Sequence, residues 1–320
     1  MAVSVGDTIT AAQYNGLQSR IATIMGTGSG TDGYGQSLTS SQVSTGATVT
    51  ATDMDNLRTD LNKANNHQLG SNASVANIAV GQVIGADATG VDISTLTTTD
   101  GGFNDYDTAT GNIEANKFLL DAGNSTVEAA TSSTRSTDWN GSITHTFTVT
   151  FASTDDRRYF FNSGGEIRFS ANLSGQTGAK SDDWATLLSN MGTIKFNYTE
   201  TTATGTGTGS AIGNSDLTGT FQTIFTKTGS GNYAENSYTV EGRTDSTTVL
   251  RFRVTFADDD TGDQVLPGSE NPGDVDGVIV PGPAVDEDVN GTLTSTIQQL
   301  RATGSNVSVA TPSYANTSTL

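Results

Sequence analysis

The sequence predicts a mainly β protein with a helical start, and three observations support this prediction. Two similar amphipathic segments open the chain, a polar segment without periodicity follows, and short runs of alternating apolar and polar residues fill the remainder. We therefore expect an N-terminal helical hairpin at 1–70, an extended connector at 71–136, and a C-terminal antiparallel β-sandwich with one inserted helix at 137–320.

The composition restricts the classes of function. Of 320 residues only 33% are hydrophobic, 37 are glycine, and the net charge is -19. A nucleic-acid groove is not expected, because phosphate binding needs clustered Lys and Arg and the 15 in this chain are scattered. Since the sequence contains no cysteine, thiol chemistry and disulfides are excluded.

The helical start contains one segment twice, as GDTITAAQYNGLQSRI at 6–21 and GATVTATDMDNLRTDL at 46–61. In each copy a threonine stands three residues before a side chain that can reach back to it, which is typical of a capped helix N-terminus. Apolar residues then recur at 3-4-3 spacing on one face. They are Tyr14, Leu17, Ile21 and Ile24 in the first copy, and Met54, Leu57, Leu61 and Ala64 in the second.

A narrow apolar stripe on a polar helix needs a covering surface, and the sequence leaves two interpretations open. The two helices pack together as an ordinary hairpin, or they form an assembly seam against sister chains or another protein. Under the second interpretation the seam consists of Tyr14, Leu17, Ile21, Ile24, Met54, Leu57 and Leu61.

The connector is predicted from small polar residues without helical or strand periodicity. The sandwich is predicted from SITHTFTVTF, in which Ile143, Phe147 and Val149 alternate with threonines, and from later runs of the same kind. Those runs are GEIRFSAN, TIKFNY, TFQTIFT, SYTVEGR, TVLRFRVTF, GTLTSTIQQL and NVSVA. The inserted helix is SDDWATLLSNMG, with Ser181 or Asp182 as cap and an apolar face of Trp184, Leu187, Leu188 and Met191.

Few residues offer catalytic chemistry. There are two histidines, and His145 has the strand phase of Ile143 and Phe147, which favours a hydrogen-bonded core residue over a catalytic one. Among 34 acidic residues some pair always matches the carboxylate separation of a glycosidase, so that signal carries no weight. We expect no enzyme.

The acidic turn DEDVNG resembles part of a calcium-binding loop, with Asp286, Asp288 and Asn290 as alternate oxygen ligands before Gly291. The twelfth position is Ile297, where such a loop needs a glutamate. The turn therefore either binds calcium, with aspartates 258–260, 263, 274 and 276 contributing, or is a solvated acidic turn that protects strand edges. No other cofactor is expected.

Aromatic residues near strand ends are candidates for a sugar-binding platform. They are Trp139, Tyr198, Tyr233 and Tyr238. A host surface glycan is the corresponding partner.

Several of these segments carry a resemblance to a known group of proteins. GDTITAAQYNGLQSRI, WNGSITHTFTVTF, RRYFFNSGGEIRFSANLSG, MGTIKFNY and GTLTSTIQQLRATGSNVSVATPSY resemble virion structural proteins of marine T4-like myoviruses, the cyanophage group, which are often described as fibre-like. The resemblance covers the helical start and most of residues 137–320. It implies a non-enzymatic part of a tail, neck or capsid exterior, in a virion assembled in the host cytoplasm, and it supplies no catalytic motif.

From residues and resemblance together we expect a tail or neck fibre-like component whose helices attach or oligomerise while the sandwich points outward. The alternatives are a capsid or collar decoration protein and a receptor-binding adhesin that recognises a host glycan. Other virion proteins are the expected partners, with a homotrimer by analogy with fibres. Membrane insertion is not expected, because no apolar stretch reaches about eighteen residues.

Overall fold

The computed structural model describes residues 9–78, 102–261 and 284–320, together with the short pieces 264–265, 269–270 and 279–280. These residues belong to two compact units, each discontinuous in sequence. The helical unit draws on 1–127, 151–166 and 300–311, and the sandwich unit draws on 128–150, 167–299 and 312–320.

Five α-helices are present in the described residues, and two short 3₁₀ turns accompany them. The helices are α1 (Ala11–Met25), α2 (Ala51–Leu69), α3 (Phe103–Ala115), α4 (Thr154–Asn162) and α5 (Ala179–Met191), and the turns are Ala122–Asn124 and Gly231–Tyr233. Among the described helices, none is long and apolar enough to cross a membrane.

The strands are β1 (Ser125–Arg135), β2 (Gly141–Thr150), β3 (Glu166–Ser174), β4 (Ile194–Phe196), β5 (Thr201–Ala203), β6 (Gln222–Thr228), β7 (Ser237–Ser246), β8 (Val249–Asp258), β9 (Gln264–Val265), β10 (Ser269–Glu270), β11 (Ile279–Val280), β12 (Ala284–Val285), β13 (Thr292–Ala302) and β14 (Ser313–Ser318). Ten of them form two five-stranded sheets, in the orders β1-β13-β3-β4-β5 and β14-β2-β8-β7-β6. The four two-residue strands pair as β10-β11 and β12-β9.

The two sheets face each other across a phenylalanine-rich core, as the sequence predicts. Phe147 of β2 and Phe252 of β8 both contact Phe169 of β3, with ring centroids 5.8 and 5.2 Å apart. The alternation is clearest in β8, where every second residue is buried. Because the inward residues of both sheets pack together, the predicted mainly β fold with an antiparallel sandwich is confirmed.

The predicted extended connector is wrong for the part that the structure describes. Residues 102–135 contain α3, a 3₁₀ turn and β1, whereas residues 79–101 lie outside the described part. The prediction failed because α3 has a glycine at its N-cap, and because β1 shows no alternating burial.

The inserted helix is confirmed as α5, with Trp184, Leu187, Leu188 and Met191 buried. It begins earlier than predicted, after Gly178, so that Ser181 and Asp182 lie in its first turn and not at its cap. A further helix, α4, was not predicted; Ser153 caps it by accepting a hydrogen bond from the Asp156 amide.

Candidate functional site

The two repeated helices begin with the predicted caps. The amide of Gln13 donates to Thr10 Oγ1 over 3.2 Å, and Gln13 Oε1 accepts from the Thr10 amide over 2.8 Å. Thr50 and Asp53 repeat this arrangement at 3.2 and 2.8 Å. Each pair satisfies backbone amides that would otherwise lack partners at a helix start.

The apolar stripes of α1 and α2 are buried within the chain, at 0–3% exposure for the residues of the predicted seam. A third helix helps to cover them. Helix α3 contributes Phe103, Tyr106, Thr110 and Ile113, which repeat the 3-4-3 spacing, and each of the three helices contacts the other two.

The interpretation of these side chains as an assembly seam is therefore wrong for this structure. The residues concerned, Tyr14, Leu17, Ile21, Ile24, Met54, Leu57 and Leu61, form the core of a three-helix arrangement and present no surface to a sister chain. The third helix lies in the segment interpreted as a connector, which is why the sequence appeared to leave the stripes uncovered.

Polar contacts fix the helices around that core. The Tyr14 hydroxyl donates to the carbonyl of Asp53 over 3.1 Å and so ties α1 to the start of α2. Arg20 of α1 forms a bidentate ion pair with Glu114 of α3, with N–O distances of 2.8 and 2.7 Å, and it also pairs with Asp107 at 2.5 Å. Its hydrogen bond to Glu114 raises the pKa of Arg20.

Asp60 is a buried carboxylate on α2 that mainly backbone and hydroxyl donors satisfy. It accepts hydrogen bonds from the Thr39 amide at 2.9 Å, and from the Ser40 amide and hydroxyl at 2.7 Å each. Lys63 adds an ion pair at 3.3 Å. The carboxylate thereby anchors the segment before α2 to the helix.

His67 is a second buried polar group of the helical unit. Its Nε2 lies 3.1 Å from the carbonyl of Ser163, so Nε2 carries the proton and donates. Its Nδ1 is buried with no hydrogen-bond partner among the described residues. Burial lowers the pKa of His67 to about 4, although the bond to Ser163 opposes the shift. The ring therefore stays neutral and packs edge-on to Tyr34 at 5.0 Å.

His145 lies in the sandwich core, as its strand phase predicts. Its Nδ1 is 3.0 Å from Ser295 Oγ and its Nε2 is 2.9 Å from Asn316 Oδ1. Because the amide oxygen can only accept, Nε2 carries the proton and Nδ1 accepts from the serine hydroxyl. Burial lowers the pKa of His145. This histidine connects β2, β13 and β14, and both of its nitrogens are in use.

The most unusual group of charges surrounds Lys180, in the first turn of α5. Its Nζ lies 2.6 Å from Asp286, 3.2 Å from Asp260 and 3.4 Å from Asp258, and the side chains of Lys180 and Asp258 are 0% exposed. Burial alone would lower the pKa of Lys180, but the hydrogen bond to Asp286 and the charges of the other aspartates raise it to about 12. We call these four residues the Lys180 cluster.

The predicted calcium ligands have different partners in the structure. Asp286 contacts Lys180, Asp288 is exposed, and Asn290 Oδ1 accepts from the Thr177 amide over 2.7 Å. Within the described residues, no three His, Asp or Glu side chains are arranged to hold a metal ion. The further candidates Asp263, Asp274 and Asp276 lie outside the described residues. The ammonium group of Lys180 therefore pairs with one of the three predicted ligands, Asp286, and calcium binding by this turn stays a prediction.

The proposed sugar platform is wrong for two of its four aromatic residues. Trp139 is 4% exposed and Tyr238 is 0% exposed, so neither side chain can stack on a sugar. Tyr198 and Tyr233 are partly exposed. Trp139 packs against Trp184 at 6.0 Å, which makes it part of the core beneath α5.

No protein-family model, curated protein or solved structure matches this chain.

Proposed function

We propose that this chain is a non-enzymatic structural subunit of a bacteriophage particle, either a tail or neck fibre-like component or a decoration protein of the capsid or collar. The resemblance of its sequence to virion structural proteins suggests the particle. The observation that carries the structural role is that the side chains best suited to catalysis, His67, His145 and Lys180, are buried and hydrogen-bonded or ion-paired to other groups of the chain.

A catalytic group must reach its substrate and must be able to exchange a proton with it. His145 is buried with both ring nitrogens in hydrogen bonds, and His67 is buried beside Tyr34. Lys180 has no exposed side-chain surface. These residues connect helices and strands and stabilise the fold, which is the role expected of buried polar residues in a structural protein.

The outer face of the β14-β2-β8-β7-β6 sheet suits a solvated exterior. Arg253 pairs with Glu241 at 2.6 Å, and Asp245 pairs with Arg251 at 2.6 Å and with Arg243 at 2.7 Å. Charged side chains of both signs that pair with one another on the same sheet keep its surface hydrated and oppose its association with other sheets. We propose that this face points away from the particle.

Attachment to the particle is not assigned to the apolar stripes of α1 and α2, because the chain itself covers them. A homo-oligomer remains our expectation, with a trimer by analogy with fibres. Its contacts would use surfaces other than the buried residues of the predicted seam.

The proposal is tested on purified particles of the phage that encodes this chain. We expect mass spectrometry to find the chain in particles banded by density, and antibody labelling to locate it on the exterior. Particles that lack the chain would overturn the structural role. In a separate test, release of new reducing ends from host polysaccharide by the purified protein, absent in a heat-denatured control, would overturn the non-enzymatic assignment.

A further inference from the structure

The Lys180 cluster places an amine and a carboxyl group in contact inside the sandwich unit. Lys180 lies on α5 and Asp258 is the last residue of β8; their side chains are fully buried, with Nζ and Oδ2 3.4 Å apart. Aromatic rings line the same region, because Trp184 follows on α5 and packs against Phe256 of β8 at 6.3 Å. Bulk water therefore has little access to the pair.

The charge of the cluster favours a neutral carboxyl group within it. Three carboxylates and one ammonium would leave two excess negative charges in a mostly buried site, which is costly. Asp258 is the best candidate to hold a proton, because its side chain is fully buried whereas Asp286 is partly exposed. Burial raises the pKa of Asp258, although Lys180 and a hydrogen bond from Trp184 oppose that shift. Asp286 is 35% exposed and stays ionised next to Lys180.

We propose that Lys180 and Asp258 condense to an intramolecular isopeptide bond. The ammonium is the stable form of Lys180 in this cluster, so the reaction starts from the minor neutral form, in which the proton has moved to the Asp286 carboxylate, 2.6 Å away. The free amine then attacks Cγ of protonated Asp258 and forms the C–N bond.

The second half of the step expels water. The amine nitrogen loses one more proton, which Asp260, 3.2 Å from Nζ, passes to the departing hydroxyl of Asp258. The C–O bond breaks and one water leaves. The products are an amide, a water molecule and protonated Asp286, which returns its proton to solvent through its exposed side. No oxidant, reductant or added reagent is needed.

Such a bond would give this chain a covalent link that its composition otherwise lacks, since the sequence contains no cysteine. It would join α5 to β8 and close a long loop, which restricts the unfolded chain in the way a disulfide does. The inference concerns the covalent structure of the chain and does not rest on the proposed function.

The test is the intact mass of the purified full-length protein under denaturing conditions. We expect a mass lower than that of the sequence by one water, after allowance for N-terminal processing, and a branched peptide joining the segments around Lys180 and Asp258. Lys180→Arg and Asp258→Ala should each restore the full sequence mass. Asp288→Asn, an exposed neighbour, should leave the loss of water unchanged.

One variant separates the proposed chemistry from other causes of mass loss. Asp258→Asn can still be attacked by Lys180, and it then expels ammonia and gives the same product mass as the native protein. A native mass equal to that of the sequence would overturn the proposal, and so would a loss of water that persists in a Lys180→Arg variant whose circular dichroism is native.

Discussion

The two units bury charge in different ways. In the helical unit, Asp60 is satisfied largely by backbone and hydroxyl donors from Thr39 and Ser40, with Lys63 as an additional partner. In the sandwich unit, Lys180 and three aspartates depend on one another. Since backbone donors remain when a side chain is replaced, whereas a charged partner is lost entirely, the sandwich unit should be more sensitive to a single substitution at its buried charge.

The largest expected effect is that of Lys180→Met. The substitution removes the ammonium group that the ionised aspartates share, and breaking a buried ion pair costs about 3–5 kcal/mol. It also removes the proposed bond to Asp258, so we expect the free energy of unfolding in urea at neutral pH to fall by at least this amount. Lys195→Met, at a partly exposed lysine, is the control. Equal stability of both variants would remove the distinction between the units.

A second prediction concerns His67 and pH. Its folded-state pKa of about 4 lies below its ordinary value of 6.5, so the unfolded chain binds more protons between these values. The stability gained by burying the neutral ring is present above pH 6.5 and is lost as pH falls toward 4, at a cost of roughly 3 kcal/mol.

Urea unfolding at several pH values checks this prediction. His67→Gln should flatten the fall in stability between neutral and acidic pH without abolishing it, because the pKa of His145 is also lowered. If the free energy of unfolding of His67→Gln changed with pH as steeply as that of the native protein, the His67 ring would not be buried in its neutral form.

The next effect in size is that of Asp60→Asn. The amide keeps one acceptor oxygen but turns an NH₂ group toward the donors of Thr39 and Ser40, which should cost about 2 kcal/mol. The matched control is Asp55→Asn on the same helix. The Asp55 carboxylate is 49% exposed and pairs only with Arg58 among the contacts described. This substitution should change the free energy of unfolding by less than about 0.5 kcal/mol. If Asp60→Asn cost more than Lys180→Met, the comparison between the units would be reversed.

The smallest expected effect is at the helix caps. Thr10→Ala and Thr50→Ala each remove a hydroxyl that accepts from a backbone amide at 3.2 Å, and such substitutions cost about 1 kcal/mol. Thermal unfolding of the two variants should give similar shifts, because the two caps have the same geometry. Clearly different shifts would mean that the two copies of the segment are not equivalent in the fold.

Much of the helical unit could be predicted because its signals are local. The caps at Thr10 and Thr50 and the stripes that follow depend on residues within a few turns. Helix α3 begins with part of the same capping arrangement, because Asp105 accepts a hydrogen bond from the Gly102 amide at 3.0 Å. Gly102 has no hydroxyl group, so the sequence lacks the usual signal of an N-cap. Because α3 could not be recognised from the sequence, the sequence could not show that the chain itself covers the two stripes.

A strand of the sandwich could be predicted from the sequence where one of its faces is buried. A strand with neither face buried gave no alternating pattern and could not be recognised. Strand β8 alternates clearly, whereas β1 and β14 lie at the ends of their sheets and are mostly polar and accessible. The acidic turn suggests Asp286 as a calcium ligand, whereas in the structure Asp286 pairs with Lys180, which lies 106 residues away in sequence. Spacing along a chain cannot reveal such a pairing.

The apolar stripes of α1 and α2 form the core of the chain in the structure, which leaves them unavailable as an interface between chains. Leu57→Ala tests it most directly, by urea unfolding at two widely different protein concentrations. We predict a loss of about 3 kcal/mol with midpoints that do not depend on concentration, and little change for Leu69→Ala, whose side chain is 48% exposed. A native midpoint that rises with protein concentration, and that loses this dependence in Leu57→Ala, would contradict the claim and restore the stripes as an assembly seam.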